Sequence, residues 1–166
     1  WECSTNRGQL TYEGYPIRFH FMGIFDTVAS FGLAATNTSN ITSDKGRDMQ
    51  VDARVEQYVH YVAGNELRFA FPVDLIRTNK KYKRSNWIEK VYPGMHSDVG
   101  GGYAPDEQKI SNNLARIPMR DMMQKAWKAG VRLYNYDELR KNEKIATSFQ
   151  DRFHVEPETE RLFQAY

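Results

Sequence analysis

The chain has 166 residues, a formal net charge of +2, 40% hydrophobic residues and abundant aromatics (10 Tyr, 9 Phe, 3 Trp). That length suits one domain of ordinary size, the aromatic content excludes a disordered chain, and the charge is too small to point to nucleic acid. A single cysteine, Cys3, excludes an internal disulfide and a multi-cysteine zinc site. No apolar run approaches the roughly 18 residues that span a bilayer, and no signal peptide is visible. The chain opens on Trp1 in a polar stretch rather than on Met, and it reads as a piece of a longer polypeptide.

Residues 1–16 are polar and turn-rich, ending in Gly14-Tyr15-Pro16. Residues 17–25 follow as a strand, with Ile17, Phe19, Phe21 and Phe25 on one face and Met22 and Ile24 on the other. Apolar residues on both faces suit a strand inside a covered sheet. Asp26 stands where this run ends. Residues 36–47 are rich in Asn, Thr, Ser and Gly and read as a loop. Val51, Val55, Tyr58, Val59 and Val62 then recur at three- and four-residue spacing, which predicts an amphipathic helix over 48–63 with Asp48 as N-cap and Gly64 as its stop. Residues 86–92, with Trp87, Ile88 and Val91, are a second strand.

Directly after it comes Tyr92-Pro93-Gly94-Met95-His96-Ser97-Asp98-Val99-Gly100-Gly101-Gly102-Tyr103. Three successive glycines make little sense in a strand or helix, since each weakens a regular element by roughly 0.5–1 kcal/mol relative to alanine. They suit a shaped loop that lets another group approach the backbone, and catalytic residues concentrate on such loops. A second helix lies between Asn112 and Ala129, starting near Ile117 or kinked at Pro118, with Gly130 as its stop. Beyond Tyr134 the chain is charged and weakly patterned. Strand, helix, strand, helix predicts an α/β fold with a mostly parallel sheet flanked by helices. Asp26 and His96 both fall just past the carboxyl end of a predicted strand, the edge where open α/β sheets bind ligands.

An ionised Asp26 can accept a hydrogen bond from one nitrogen of His96. That fixes the tautomer and stabilises the imidazolium formed when the other nitrogen takes a proton. The pair is two-thirds of a hydrolase triad, and Asp before His agrees with the chain order nucleophile, acid, histidine of α/β-hydrolases. No G-x-S-x-G elbow occurs in the chain, and Cys3 and Ser4 lack its flanking glycines, so a triad nucleophile is expected upstream of Trp1. Asp98, two residues from His96, competes for the acid role or holds the turn backbone. His96 and Asp98 supply only two metal ligands, and His20, His60 and His154 show no ligand spacing with them, so no metal or other cofactor is expected. His20 and His60 read as packed or surface residues. Glu66 and Arg68 suit an ion pair supporting the site. Arg77, Lys80, Lys81, Lys83 and Arg84 form a basic cluster with no acid between Leu75 and Ile88. It suits either a solvated loop or contact with an anionic membrane surface, with Tyr82 and Trp87 at headgroup level.

The stretch from Phe21 to Gly32, Phe-Met-Gly-Ile-Phe-Asp-Thr-Val-Ala-Ser-Phe-Gly, resembles the acid-bearing motif of the Tle1-like family of type VI secretion phospholipase effectors. Tyr92 to Tyr103 resembles that family's histidine motif, and Asn65-Glu66-Leu67-Arg68 with Phe71-Pro72 a third stretch between them. Leu114-Ala115-Arg116 through Ala126 and Gly130 resembles the helix that follows. The resemblance runs from about Ile17 to Leu133, which implies that 1–166 is part of an α/β-hydrolase catalytic domain, with 134–166 peripheral or the start of a further region. It implies Asp26 as triad acid, His96 as triad base and a membrane phospholipid as substrate. A secretion carrier, a cognate immunity protein and action at the envelope of a target cell are implied as well. The chain departs from the family in lacking the serine elbow. The implied function is that of a Ser-His-Asp phospholipase completed outside this chain, the segment alone being inactive and, with a cut sheet edge, poorly soluble. The alternative is an inert fragment or degenerate relative that binds a membrane or a protein.

Overall fold

The computed structural model describes residues 4–6, 9–28, 51, 54–68, 73, 75, 85–105, 107 and 111–166. Three short strands come first: β1 (Ser4–Asn6), β2 (Gln9–Tyr12) and β3 (Tyr15–Pro16), joined antiparallel in the order β1-β2-β3. Glu13 and Gly14 both take positive φ, at 50° and 81°, which is what a tight two-residue hairpin between Tyr12 and Tyr15 demands. The polar opening is therefore a small sheet.

The second sheet carries the architecture. β4 (Phe19–Phe25), β5 (Val55–Ala63) and β6 (Trp87–Tyr92) run parallel in the order β4-β5-β6. β4 begins two residues later than the apolar pattern suggested. Within the segment expected to be a helix over 48–63, Val55–Ala63 is instead the central strand. Val55, Tyr58, Val59, Tyr61 and Val62 are all buried, and they occupy both faces of β5. A strand between two parallel neighbours and covered on both sides has no polar face to alternate with. Its valines and tyrosines meet a helical spacing by coincidence, while their β-branched and aromatic character favours the pleated conformation. Asp48, the expected N-cap, lies outside the described residues, and Gly64 ends a strand.

Helix α1 (His96–Gly100) follows β6 after a three-residue turn, and α2 (Asn113–Lys128) lies against the sheet. α2 starts at Asn113 and continues through a buried Pro118, so the proline lies inside the helix rather than in its first turn. Val59, Tyr61, Tyr92, Val99 and Met122 form the main apolar cluster, with Phe21, Phe25, Ile117 and Phe163 packed around it. Gly23 of β4 allows this approach: a Cβ there would stand 2.5 Å from Met122 Sδ. Within the cluster Asp121 accepts hydrogen bonds from the hydroxyls of Tyr61 (2.8 Å) and Tyr92. Burial pushes the Asp121 carboxyl up, but those two hydroxyls and the charges of Lys90 and Lys125 outweigh it and leave it lowered.

The chain beyond Tyr134 is helical where its sequence looked unpatterned. Helices α3 (Tyr136–Lys141), α4 (Ala146–Phe153) and α5 (Pro157–Ala165) follow in turn, with a 3-10 turn at Glu143–Ile145. The signals were local. Asn135 and Glu138 form a capping box, and Pro157 sits at the start of α5 with Glu158 and Glu160 in its first turn. This region is tied to the core. The Arg116 guanidinium donates to the carbonyl of His154 (2.6 Å), and Phe163 lies on Tyr92 with ring centroids 5.6 Å apart. Among the described residues no helix is long and apolar enough to cross a membrane.

Met122 joins helix to sheet at the point where Gly23 removes a side chain. Met122→Ala should therefore lower stability by about 2–5 kcal/mol, the usual range for truncating a buried Met. Urea denaturation of the two proteins checks this, and a loss well under about 1 kcal/mol would show that the site collapses around the deletion.

Candidate functional site

Asp26 is the first residue after β4. Its N–H donates to the carbonyl of Tyr61 (2.6 Å), extending the β4–β5 ladder by one bond before the chain turns. The turn is made by Asp26 itself, at φ 39°. Asp tolerates this left-handed region better than most residues, because its short polar side chain finds local partners. The side chain is buried, and a buried carboxylate needs hydrogen bonds to replace water. Oδ1 accepts the N–H of Ala63 at 2.7 Å, and Oδ2 lies 2.7 Å from Nδ1 of His96. An ionised carboxylate only accepts, so the Nδ1 of His96 carries the proton and donates it.

His96 is the first residue of α1, so the special loop is in fact a turn feeding a one-turn helix. The turn is held from both sides. Gly64 N–H donates to the carbonyl of Tyr92 (2.8 Å), Asn65 N–H to that of Gly94 (3.0 Å), and Gly94 N–H to Asn65 Oδ1 (2.9 Å). Gly94 takes φ 114°, and a Cβ on it would stand 2.5 Å from the Cβ of Asp98, so this position excludes a side chain twice over.

Asp98 is spent on this turn. Its Oδ2 accepts the N–H of Met95 at 2.8 Å, and its own N–H reaches the Met95 carbonyl at 2.9 Å. The carboxylate that His96 meets is Asp26. The three glycines meet no close approach among the described residues. No described residue comes within 4 Å of a Cβ built on Gly100, Gly101 or Gly102. Gly101 and Gly102 instead take φ 74° and 110°, which carries the chain away from the end of α1.

Glu66 and Arg68 are brought into the site. Arg68 grips the Glu66 carboxylate in a bidentate pair, Nε to Oε1 at 2.9 Å and Nη2 to Oε2 at 2.7 Å, and adds its own N–H to Oε1 at 2.7 Å. Oε2 of Glu66 also accepts the backbone N–H of His96 at 3.1 Å. The Arg68 guanidinium, helped by the N–H groups of Arg68 and His96, outweighs partial burial and holds the Glu66 carboxyl down to about 2. Glu66 thus fixes the main chain of His96 while Asp26 fixes its ring.

Lys80, Lys81, Lys83 and Arg84 fall outside the described residues, as do Arg77 and Tyr82. His20 lies on β4 and pairs with Glu56 (Nδ1 to Oε2, 2.9 Å) and with the Ala129 carbonyl. His60 is not on a helix but on β5, wholly buried, with Nδ1 3.3 Å from Glu89 Oε2 and Nε2 accepting the N–H of Thr27 at 3.2 Å. Of the two alternatives for His60, packed or surface, the structure shows the packed one, with a pairing to Glu89 that neither foresaw. Its sequence signal was a histidine and a glutamate at apolar strand positions. Among the described residues no group of three or more His, Cys, Asp or Glu side chains could hold a metal ion.

These features define an α/β protein whose parallel sheet presents a hydrogen-bonded Asp–His pair at its carboxyl edge. A family model described as "T6SS, Phospholipase effector Tle1-like, catalytic domain" matches residues 3–125, and the chain belongs to that family. Among solved structures it is similar to an uncharacterized protein from Pseudomonas aeruginosa, with a TM-score of 0.66 and 30% identity over 98% of this chain. The chain spans only 24% of that protein's length. A 45-residue stretch is 49% identical to YEL023C, an uncharacterized protein of Saccharomyces cerevisiae, covering 27% of this chain and 6% of the yeast protein.

Two expectations follow from the site. Gly94→Ala should destabilise the protein by about 1–3 kcal/mol, since the new side chain meets both a forbidden backbone conformation and the Asp98 Cβ. Thermal melts of the purified variant check this. The Glu66 carboxyl sits below its ordinary 4.5 in the folded chain, at about 2. Its stabilising contribution is therefore complete above the ordinary carboxylate range and is lost as pH falls from there toward the folded value. Glu66→Gln should flatten the acid limb of a stability–pH curve in that window. An unchanged acid limb would mean that the ion pair contributes nothing to folding.

Proposed function

We propose that the chain forms part of a serine esterase site that releases acyl chains from glycerophospholipids by a phospholipase A-type reaction. The observation that carries this reading is the 2.7 Å contact between Asp26 Oδ2 and His96 Nδ1 at the carboxyl edge of the sheet, in a chain of a phospholipase effector family. The nucleophile is a serine of the longer protein, because no G-x-S-x-G occurs among the 166 residues. Its hydroxyl attacks the acyl ester carbonyl, and its proton passes to Nε2 of His96. The imidazolium, stabilised by Asp26, then protonates the departing alcohol. Water repeats the sequence on the acyl-enzyme, with His96 as base for its attack and as acid for release of the serine. Backbone N–H groups outside this chain hold the oxyanion. Glu66, braced by Arg68, and Asp98 hold the turn that presents His96. Exposed Leu67, Met95 and Tyr103 flank these residues in sequence and suit an apolar substrate.

The protein acts as an antibacterial effector at the envelope of a target cell, delivered by a secretion carrier and restrained in the producing cell by an immunity protein. Lys80, Lys81, Lys83 and Arg84 supply contacts to anionic lipid headgroups. The missing elbow favours a second reading, an inert relative that only binds membrane or protein.

Assay of phospholipid acyl release by the full-length protein separates the two. His96→Ala and Asp26→Asn should each lower kcat by about 10⁴-fold while leaving the fold intact. Turnover close to wild type in His96→Ala would overturn the esterase reading, and absence of a serine elbow from the full-length protein would favour the binding one.

A further inference from the structure

His60 is a fully buried titratable side chain that this mechanism leaves unused. It occupies the middle of the central strand, paired in register with Ile24 on one side and Glu89 on the other. Among the described residues, its two ring nitrogens meet groups of different kinds. Thr27 offers a backbone N–H, which can only donate, so Nε2 must accept and the imidazole is neutral there. The ring proton then sits on Nδ1, which donates to the carboxylate of Glu89, itself only 8% exposed.

A histidine and a glutamate buried together cost desolvation that a well-packed apolar pair would avoid. What the pair provides is an acceptor of fixed tautomer, aimed at one amide. That amide belongs to the residue immediately after Asp26. Asp26 sits at φ 39°, a conformation that the chain does not favour unaided. Its own N–H is held by the Tyr61 carbonyl and its Oδ1 by the N–H of Ala63, both on β5. The bond from Thr27 to His60, also on β5, is the clamp on the far side of the turn.

We infer that His60, oriented by Glu89, is a positioning residue that locks the turn after β4 and so aims the Asp26 carboxylate at His96. Neither side chain touches the reacting atoms. The inference rests on the acid–base reading of Asp26 and His96. Removing the acceptor takes from the Thr27 N–H, on a half-buried residue, the partner that holds it, and the turn relaxes toward conformations in which Asp26 no longer meets Nδ1 of His96.

The test uses the full-length protein and two readouts: acyl release from phospholipid vesicles, and the exchange rate of the Thr27 amide resolved by hydrogen–deuterium exchange. His60→Phe should lower kcat by about 10–100-fold, the usual penalty for losing a partner that orients a functional side chain, with KM little changed. Exchange at Thr27 should rise about tenfold or more, in line with loss of one hydrogen bond. His60→Gln, whose amide oxygen reaches close to the Nε2 position, should recover most of both. A purely packing role predicts the reverse order, with Phe tolerated better than Gln.

Should His60→Phe fail to fold, Glu89→Leu, which keeps the Thr27–His60 pair but removes the carboxylate that orients the ring, should show both changes in the same direction and in smaller measure. Unchanged Thr27 exchange or unchanged kcat in a folded His60→Phe or Glu89→Leu protein would overturn the inference. Failure of the underlying reading appears separately, as wild-type turnover in His96→Ala.

Discussion

The carboxyl end of β5 is the constraint on which the site depends. Within four residues this strand offers the Tyr61 carbonyl to Asp26, the Ala63 N–H to the Asp26 carboxylate and the Gly64 N–H to the Tyr92 carbonyl. The strands on either side thus end against the same short piece of backbone. Asp26 leaves β4 and His96 follows β6, and without β5 between them their side chains would share no frame of reference. The register of two parallel ladders sets the 2.7 Å contact between Asp26 and His96.

That arrangement explains why β5 is buried on both faces. One face packs Val59 and Tyr61 against α2, and the other buries Tyr58, His60 and Val62. Polar groups within these layers are matched rather than excluded. Asp121 takes the hydroxyls of Tyr61 and Tyr92, and His60 bridges Glu89 and the Thr27 amide. Each such group would cost roughly 1–3 kcal/mol if left without a partner, so the networks define one arrangement of the core more sharply than apolar packing does. On the β6 side, Asp98 closes the histidine turn from within and Glu66 holds it from the β5 side. The ring and the main chain of His96 are therefore restrained by different carboxylates.

Much of the candidate site was legible in the sequence, because its residues carry local signals. Asp26 ends an apolar run, Pro93 and Gly94 announce a turn before His96, and both stretches resemble motifs of a family to which the chain belongs. The helix over 113–128 was legible from its apolar spacing and from Gly130, but its start, expected near Ile117 or with a kink at Pro118, lies at Asn113. β5 was not. A strand covered on both faces loses the alternation that identifies strands, and its valines and tyrosines happened to repeat at helical intervals. The helices after Tyr134 were hidden for another reason. Each is short, so few apolar positions repeat along it, and the local signals are few: a capping box opens α3 and a proline opens α5.

By itself the sequence determined the α/β class, the positions of Asp26 and His96 at strand ends, and the turn that a glycine at position 94 requires. These depend on residue types and on neighbours a few positions away. Only the tertiary structure decided which acid His96 meets. Asp98, two residues distant, is turned back onto the Met95 amide, while Asp26, seventy residues earlier, reaches the imidazole across β5. The choice rests on strand register, which brings distant residues together through backbone hydrogen bonds that no side-chain pattern encodes. The same holds for His60: a histidine among valines and tyrosines does not reveal its partners until β5 lies between Thr27 and Glu89.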